Sequence, residues 1–548
     1  MSKRNPRVHS GSIKQLVCLL LLLGLFKFKV PAADDDKTHH HHEDLTETQL
    51  GTVHFPVSCA ESVQKPFARG IALLHSFWYE EAEKEFLDIA KDDPHCAMAH
   101  WGVAMSIWHQ LWNNPDAKVI ARGLDEARTA GKLSPRSTPR EKGYIAAITA
   151  FYYGAPQLDH KARARAYSDA MKRVYLSNPD DHEAATFYGL SLLASDETLE
   201  HRKEAARILE KVFAVEPDHP GVAHYLIHAY DTPALAEQGI PAARRYAQIA
   251  PAAPHALHMP SHIFARVGLW QDDINSNLAS VDATRKTAAM GMGGEGHQFH
   301  AMDFLVYAYL QSGRESDAAK VIEEIKAMPA MPNMYGMDFD PRRSSQARFE
   351  ASYALELHDW PKAAALSPVS QDPDYTPVTY LARAIGAARS GQVAEARKDV
   401  EQVKSITKVL REKKETDDAD FLDRQTGEPL AWIAHAEGRD DEAISLLGPL
   451  ADQETDGMSQ TGYLPAREQF ADLLLETGRP GEALAEYQAA LKLNPNRFNG
   501  LYGAARAAEA AGKHSDASQY YALLLKTCEG GSSARPELAH ARELLAKK

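Results

Sequence analysis

Beyond about residue 60, apolar residues recur at i, i+3, i+4 and i+7 with little interruption, and Gly, Pro and Asn-Pro punctuate the pattern at short intervals. That period puts the apolar positions on one face of a helix, so the chain is predicted to be a succession of amphipathic helices. No stretch alternates long enough to predict a strand. Residues 33–50 carry no apolar periodicity, and a flexible acidic and His-rich tail is expected over 33–58. Two further breaks fall at 286–298, rich in Gly and Met, and at 328–343, where Met and Pro alternate; both are expected to be loops.

A repeat underlies the helices. Gly478 and Gly512, Ala483 and Ala517, and Tyr487 and Tyr521 are each 34 residues apart, and Asn494-Pro495 closes the first unit. The same phrase returns upstream as Gly438 with Ala443, Gly391 with Ala396, Trp360 with Ala363, Gly313 with Ala318, Gly268-Leu269-Trp270, and Ala82 with Phe86 and Pro94. This period, with Gly ending a first helix and Ala opening a second, resembles the tetratricopeptide repeat. Small residues let paired helices cross closely, and one unit alone cannot bury its apolar face. The expected fold is therefore all-α, a right-handed α-solenoid of tetratricopeptide-type helix–turn–helix repeats. Its expected divisions are N-terminal repeats over 59–217, a central His- and Met-rich part over 218–343, and C-terminal repeats over 344–548.

The first 32 residues read as an export signal. Lys3, Arg4, Arg7 and Lys14 precede an apolar run from Leu16 to Phe26, too short to span a bilayer as a helix. Val30 and Ala32 suit a cleavage site after Ala32. The protein is thus expected to be secreted or periplasmic. Loss of the leader removes six basic groups and no acidic ones, taking the formal charge from −14 to −20. So acidic a surface argues against nucleic acid and anionic membranes as partners. Three cysteines would remain, and Cys59 and Cys96 are a possible disulfide pair, with Cys528 left over.

Candidate chemistry concentrates between residues 224 and 300, where seven of the 25 histidines fall: His224, His228, His255, His258, His262, His297 and His300. The His-x3-His spacing of His224 with His228, and of His258 with His262, puts two imidazoles on one helix face about a turn apart. In tetratricopeptide repeats the second, fifth, ninth and twelfth positions line the concave face. Units starting at Pro220 and Pro254 place His224, His228 and Asp231, then His255, His258 and His262, at such positions. The next unit adds His300 and Asp303. Nitrogen-rich sets of this kind suit Zn, Cu or Fe, with Asp231 and Asp303 either completing the shell or fixing imidazole tautomers. Met328, Met331, Met334 and Met337, spaced by three, are possible soft ligands for copper, although Met also fills irregular gaps in a core. His39 to His42 could capture metal as well. The competing reading of the same residues is a metal-free polar groove for a peptide or small acid.

Other chemistry is absent from the pattern. Ser261 lacks a G-x-S-x-G context, and there is no HExxH, P-loop, CxxC or haem-attachment sequence. No catalytic residue is assigned. His75, Trp78 and His100-Trp101 read as packing in a capping repeat, with His75 able to meet the central histidines only if the superhelix curls far enough.

Four phrases carry a family resemblance: Leu73-Leu74-His75-Ser76-Phe77-Trp78-Tyr79-Glu80-Glu81-Ala82, Ala97-Met98-Ala99-His100-Trp101-Gly102, Ala223-His224-Tyr225-Leu226-Ile227-His228-Ala229-Tyr230-Asp231 and His258-Met259-Pro260-Ser261-His262-Ile263-Phe264. They resemble a group of large secreted bacterial tetratricopeptide proteins. The resemblance implies fold and address and carries over no catalytic residue. The expected function is an exported scaffold that binds a protein, peptide or small ligand in its concave groove through a transition metal held by the central His and Asp residues. The alternative is a metal-dependent enzyme or a periplasmic copper-handling protein using the same cluster.

Overall fold

The computed structural model describes residues 45–111, 115–154, 158–196, 198–293, 295–331, 340–370, 375–454 and 463–546. The leader, His39 to His42, Met334 and Met337 lie outside the described residues. Among those described, every regular element is a helix, and consecutive helices pack as neighbours in an α-solenoid of tetratricopeptide type. Among the described residues no helix is long and apolar enough to cross a membrane.

The turn inside six of the pairs explains the anchor glycines. Gly268, Gly313, Gly391, Gly438, Gly478 and Gly512 all have φ between +65° and +77°. Two residues after each, the second helix begins, at Trp270, Glu315, Val393, Asp440, Pro480 and His514. A left-handed residue is what ends one helix and sends the next back along it, and Gly adopts it without steric cost. The anchor alanines Ala82, Ala318, Ala363, Ala396, Ala443, Ala483 and Ala517 are all buried where the helices cross.

Seven helices frame the site: α1 (Gln64–His75), α2 (His182–Ser195), α3 (Pro220–Tyr230), α4 (Pro254–His258), α5 (Pro260–Arg266), α6 (Trp270–Ala289) and α7 (Glu295–Gln311). Pro opens α3 and α4 at the first helical position, where its missing N–H costs nothing. The expected loop over 286–298 proves shorter. Helix α6 runs to Ala289 and α7 starts at Glu295, because the residues with positive φ, Gly291 and Gly293, are confined to the turn.

The solenoid folds back on itself twice, both times beside these helices. After α1, the turn His75–Trp78 meets α3 and the α6–α7 turn: the His75 carbonyl accepts from His224, and Trp78 Nε1 donates to the Met292 carbonyl. Farther along, Trp270 Nε1 donates to the Asn496 carbonyl. Arg497, fully buried, donates to Glu468, Glu356 and the Tyr307 hydroxyl. A guanidinium fork is suited to such a site, since it satisfies several acceptors at once while its charge is neutralised.

The expectation of a flexible tail as far as residue 58 is corrected by the burial of its apolar residues. Leu50 and Phe55 are 1% and 3% exposed, and the Phe55 ring packs edge-on against Phe67 and Trp101 and beside Tyr144 and Phe187. Val53, Phe55 and Val57 alternate as in an extended segment, a pattern that a search for helical periodicity passes over. Arg140 covers Phe55 and donates to the Pro56 carbonyl, and Cys59 and Cys96 form a disulfide at the end of the segment. Truncating the ring in Phe55→Ala should cost about 3–5 kcal/mol, read as a lower urea midpoint. An unchanged midpoint would mean that this segment is not part of the cooperative fold.

Candidate metal centre

Helix α3 ends at Tyr230 with Asp231 as its cap, and its His224 and His228 project from one face. Between α4 and α5 the ladder is interrupted, because Pro260 has no N–H to offer. Met259 nevertheless keeps helical dihedrals (φ −53°, ψ −33°), so His258 and His262 still share a face. Helix α7 contributes His297 and His300.

The histidines form two trios. In the first, His224 Nε2 lies 3.1 Å from His228 Nε2 and 3.1 Å from His255 Nε2. In the second, His262 Nε2 lies 3.1 Å from His258 Nε2 and 3.3 Å from His300 Nε2. The trios adjoin: ring centres are 6.3 Å apart for His228 and His262 and 6.0 Å for His255 and His258. His228 and His255 of one trio and His262 and His300 of the other line a single cleft of about 280 Å³.

Protons alone satisfy these contacts poorly. His224 Nδ1 is 2.6 Å from the His75 carbonyl, which can only accept, so Nδ1 carries the proton and Nε2 presents a lone pair. One lone pair cannot accept well from both His228 and His255. In the second trio, His258 Nδ1 donates to Asn277 Oδ1 at 2.6 Å, and the Asn277 amide is held in that sense because its nitrogen donates to the Asp273 carbonyl. His262 Nδ1 donates to Asp231 at 2.9 Å. With these Nδ1 hydrogens committed, the Nε2 atoms of His258 and His262 face each other, and that of His224 faces two imidazole nitrogens. A single proton can bridge one such pair, whereas a metal ion takes a lone pair from all three. Two nitrogens bound to a tetrahedral ion at about 2.0–2.1 Å lie about 3.3 Å apart, close to the spacing found here.

The electrostatics fit neutral ligands. Burial holds His224, His255 and His258 well below the ordinary imidazole range, and neighbouring imidazoles add to the effect. His228 is lowered to about 3, chiefly by burial and then by His262. Burial would raise the Asp231 carboxyl, but the His262 and Arg266 hydrogen bonds hold it well below the usual carboxylate range. Phe77 packs on the first trio, 4.4 Å from His224 between ring centres, and Phe304 on the second, 4.7 Å from His262.

The other sequence candidates take different places. Asp231 orients His262 and binds Arg266 at 2.7 Å, so it stands behind the ligand ring. Asp303 pairs with Arg348. His297 rests on His255, ring centres 4.8 Å apart, and bonds to the Phe77 backbone, outside both trios. Met328 and Met331 pack against the apolar core around Trp270 and Phe299, and the methionine that lines the cleft is Met259.

Sequence reasoning missed Asn277, Phe77, Phe304, Met259, Arg202 and Arg266. It also missed the pairing rule. The fifth and ninth positions of one repeat combine with the second of the next, once as His224, His228 and His255 and again as His258, His262 and His300. The 34-residue steps from 224 to 258 and from 228 to 262 were the available signal.

A further buried cluster, His75, Glu183 and His219, behaves differently. Glu183 accepts from His75 Nε2 at 2.8 Å and from His219 Nε2 at 2.9 Å. His75 Nδ1 then accepts from the Tyr225 hydroxyl and His219 Nδ1 from the Val222 N–H. Every nitrogen is satisfied by protons, so this cluster calls for no metal.

No protein-family model matches the chain, and no curated protein sequence does. Among solved structures, human IFIT1, a dimer with the capped oligonucleotide m7Gppp-AAAA, shares 13% identity at a TM-score of 0.36, over 83% of this chain and 95% of that one. Cut9 from the Cut9–Hcn1 complex shares 12% at 0.33, over 87% and 89%, and yeast Tom70 shares 11% at 0.26, over 89% and 96%. Similarity at this level says nothing about the site.

Burial also makes the metal-free protein acid-sensitive. His297 is lowered to about 4, so the unfolded chain takes up its proton first as pH falls. Stability from keeping it neutral is complete above about pH 6.5 and is lost toward pH 4, about 3 kcal/mol in all and about 2 kcal/mol of it by pH 5. Glu428, raised to about 8, and Asp472, raised to about 7, act with the opposite sign, so the test is a difference. Between pH 7.5 and 5, chelator-treated wild type should lose more stability than His297→Gln; equal losses would contradict the assignment.

Proposed function

We propose that the chain is a transition-metal protein that holds two ions in adjacent trihistidine sites and uses them on a small molecule admitted to the shared cleft. The observation that carries this reading is the convergence of three Nε2 atoms, twice, at 3.1–3.3 Å. Structural sites close the shell with four protein ligands, whereas reactive sites keep a position open. Three imidazoles to each ion, beside a cleft that both trios line, match the reactive kind. A cleft of about 280 Å³ suits a small molecule better than a peptide. The helical-repeat scaffold supplies the rigid elements that hold the ligand rings. Action outside the cytosol is supported by the leader pattern and by the Cys59–Cys96 disulfide, since disulfides persist in oxidising compartments.

The decisive measurement is elemental analysis of protein purified without a tag or chelator, beside a variant lacking His39 to His42. Two equivalents of metal should be retained in both. His258→Ala combined with His262→Ala should retain one, with helical content unchanged. Absence of metal from both proteins, even after reconstitution, would overturn the proposal. Asn277→Ala should weaken the second site alone, by about tenfold to a hundredfold, read by competition with a chromogenic chelator. Equal weakening of both sites would show that Asn277 does not act through His258.

A further inference from the structure

We infer that the two ions are cuprous copper and that together they deliver two electrons to dioxygen in the cleft. The inference rests on the metal reading above and adds the element, its oxidation state and the substrate. Charge is the first argument. All six ligand groups are imidazoles, and the nearest carboxylate, Asp231, is already engaged by His262 and Arg266. Arg202 and Arg266 also line the cleft. Two divalent ions would thus place four positive charges in a pocket whose walls already carry cationic groups. At equal separation they would repel each other four times as strongly as two monovalent ions. A pair of cuprous ions halves the charge of the loaded site and accepts three neutral nitrogen donors each; on oxidation the two negative charges gained by the oxygen offset the two positive charges gained by the coppers until two protons release H2O2.

Softness is the second argument. The buried Met259 brings a thioether to the wall of the same cleft, and Phe77 and Phe304 shield the two trios with apolar rings. Carboxylate and carbonyl ligands, which suit the hard ions, are missing from the set of side chains.

Placement is the third. His228 and His255 from one trio and His262 and His300 from the other border one cavity, so a single small acceptor reaches both ions. Dioxygen fits, needs no charged recognition, and takes two electrons to reach peroxide. The balanced step is two Cu(I), one O2 and two protons giving two Cu(II) and one H2O2. Each copper loses one electron, and the oxygen–oxygen bond is kept while its order falls.

The test uses the whole chain, stripped with chelator and loaded with Cu(I) under argon. Two coppers per chain must be retained before oxygen is admitted; fewer would defeat the metal reading itself, whatever follows. Air should then draw one O2 and release one H2O2 per chain on an oxygen electrode. His224→Ala with His228→Ala, and His258→Ala with His262→Ala, should each hold one copper and oxidise about tenfold more slowly per copper, because the second electron must come from another molecule. His300→Ala, which changes a side chain exposed at the cleft, repeats the comparison should a double variant fail to fold. Two retained coppers that stay cuprous in air would overturn the inference while leaving the metal reading intact. So would single-site variants that oxidise at the wild-type rate per copper.

Discussion

Eight of the helix pairs among the described residues turn on one residue with left-handed dihedrals between them. Six of those positions hold Gly, which meets the requirement freely. Two do not: His358 at φ +51° and Phe77 at φ +53° perform the same turn with bulky side chains. Such conformations cost about 1–3 kcal/mol and persist where surrounding contacts overdetermine them. For Phe77 those contacts are the imidazoles themselves, since its ring lies against His224, His228 and His255. The residue that makes the first turn also forms one wall of the first trio.

That turn explains why an extended repeat array ends in a small cleft. The His75 carbonyl reaches His224 across 149 residues of sequence, and Trp78 reaches Met292 across 214. At the other side, the Asn496–Asn499 turn is held against Trp270, Tyr307 and Gln311. With both flanks closed, the concave face over α3 to α7 is left as a bounded cavity. The site itself is then a consequence of repetition. Two successive units present the same positions, so one ligand pattern appears twice, one repeat apart.

Much of this was legible in the chain. The glycine and alanine anchors gave the turns and crossings, and Pro220 and Pro254 marked the helix starts one period apart. Periodicity also put imidazoles on adjacent helices. It could not say which imidazoles meet, because the third member of each trio comes from the next unit, and the second of these follows a longer helix α6. Nor could it supply Asn277 or the His75 carbonyl. One is a buried amide on a different helix, and the other is a backbone atom with no side-chain signature. The ordered segment 45–58 escaped for a simpler reason: after the single helical turn Glu47–Leu50, its apolar residues Val53, Phe55 and Val57 keep the spacing of extended chain.

Composition alone would not separate a candidate metal site from an ordinary buried network in this protein. His75, Glu183 and His219 are as buried and as rich in potential ligands as either trio. The difference lies in how protons can be distributed. Around Glu183, each imidazole gives one hydrogen to the carboxylate and takes one from a hydroxyl or an amide, and the carboxyl, which burial alone would raise, is held well below its usual range by the two imidazoles. In the trios the Nδ1 hydrogens of His224, His258 and His262 are already committed to a carbonyl, an amide oxygen and a carboxylate. Their Nε2 atoms are therefore fixed in direction, those of His258 and His262 toward each other and that of His224 toward two imidazole nitrogens at once. Hydrogen bonds spent on holding imidazole nitrogens face to face are what the proposed metal sites need and what the Glu183 cluster lacks, and that counting, more than the number of histidines, distinguishes the two kinds of cluster.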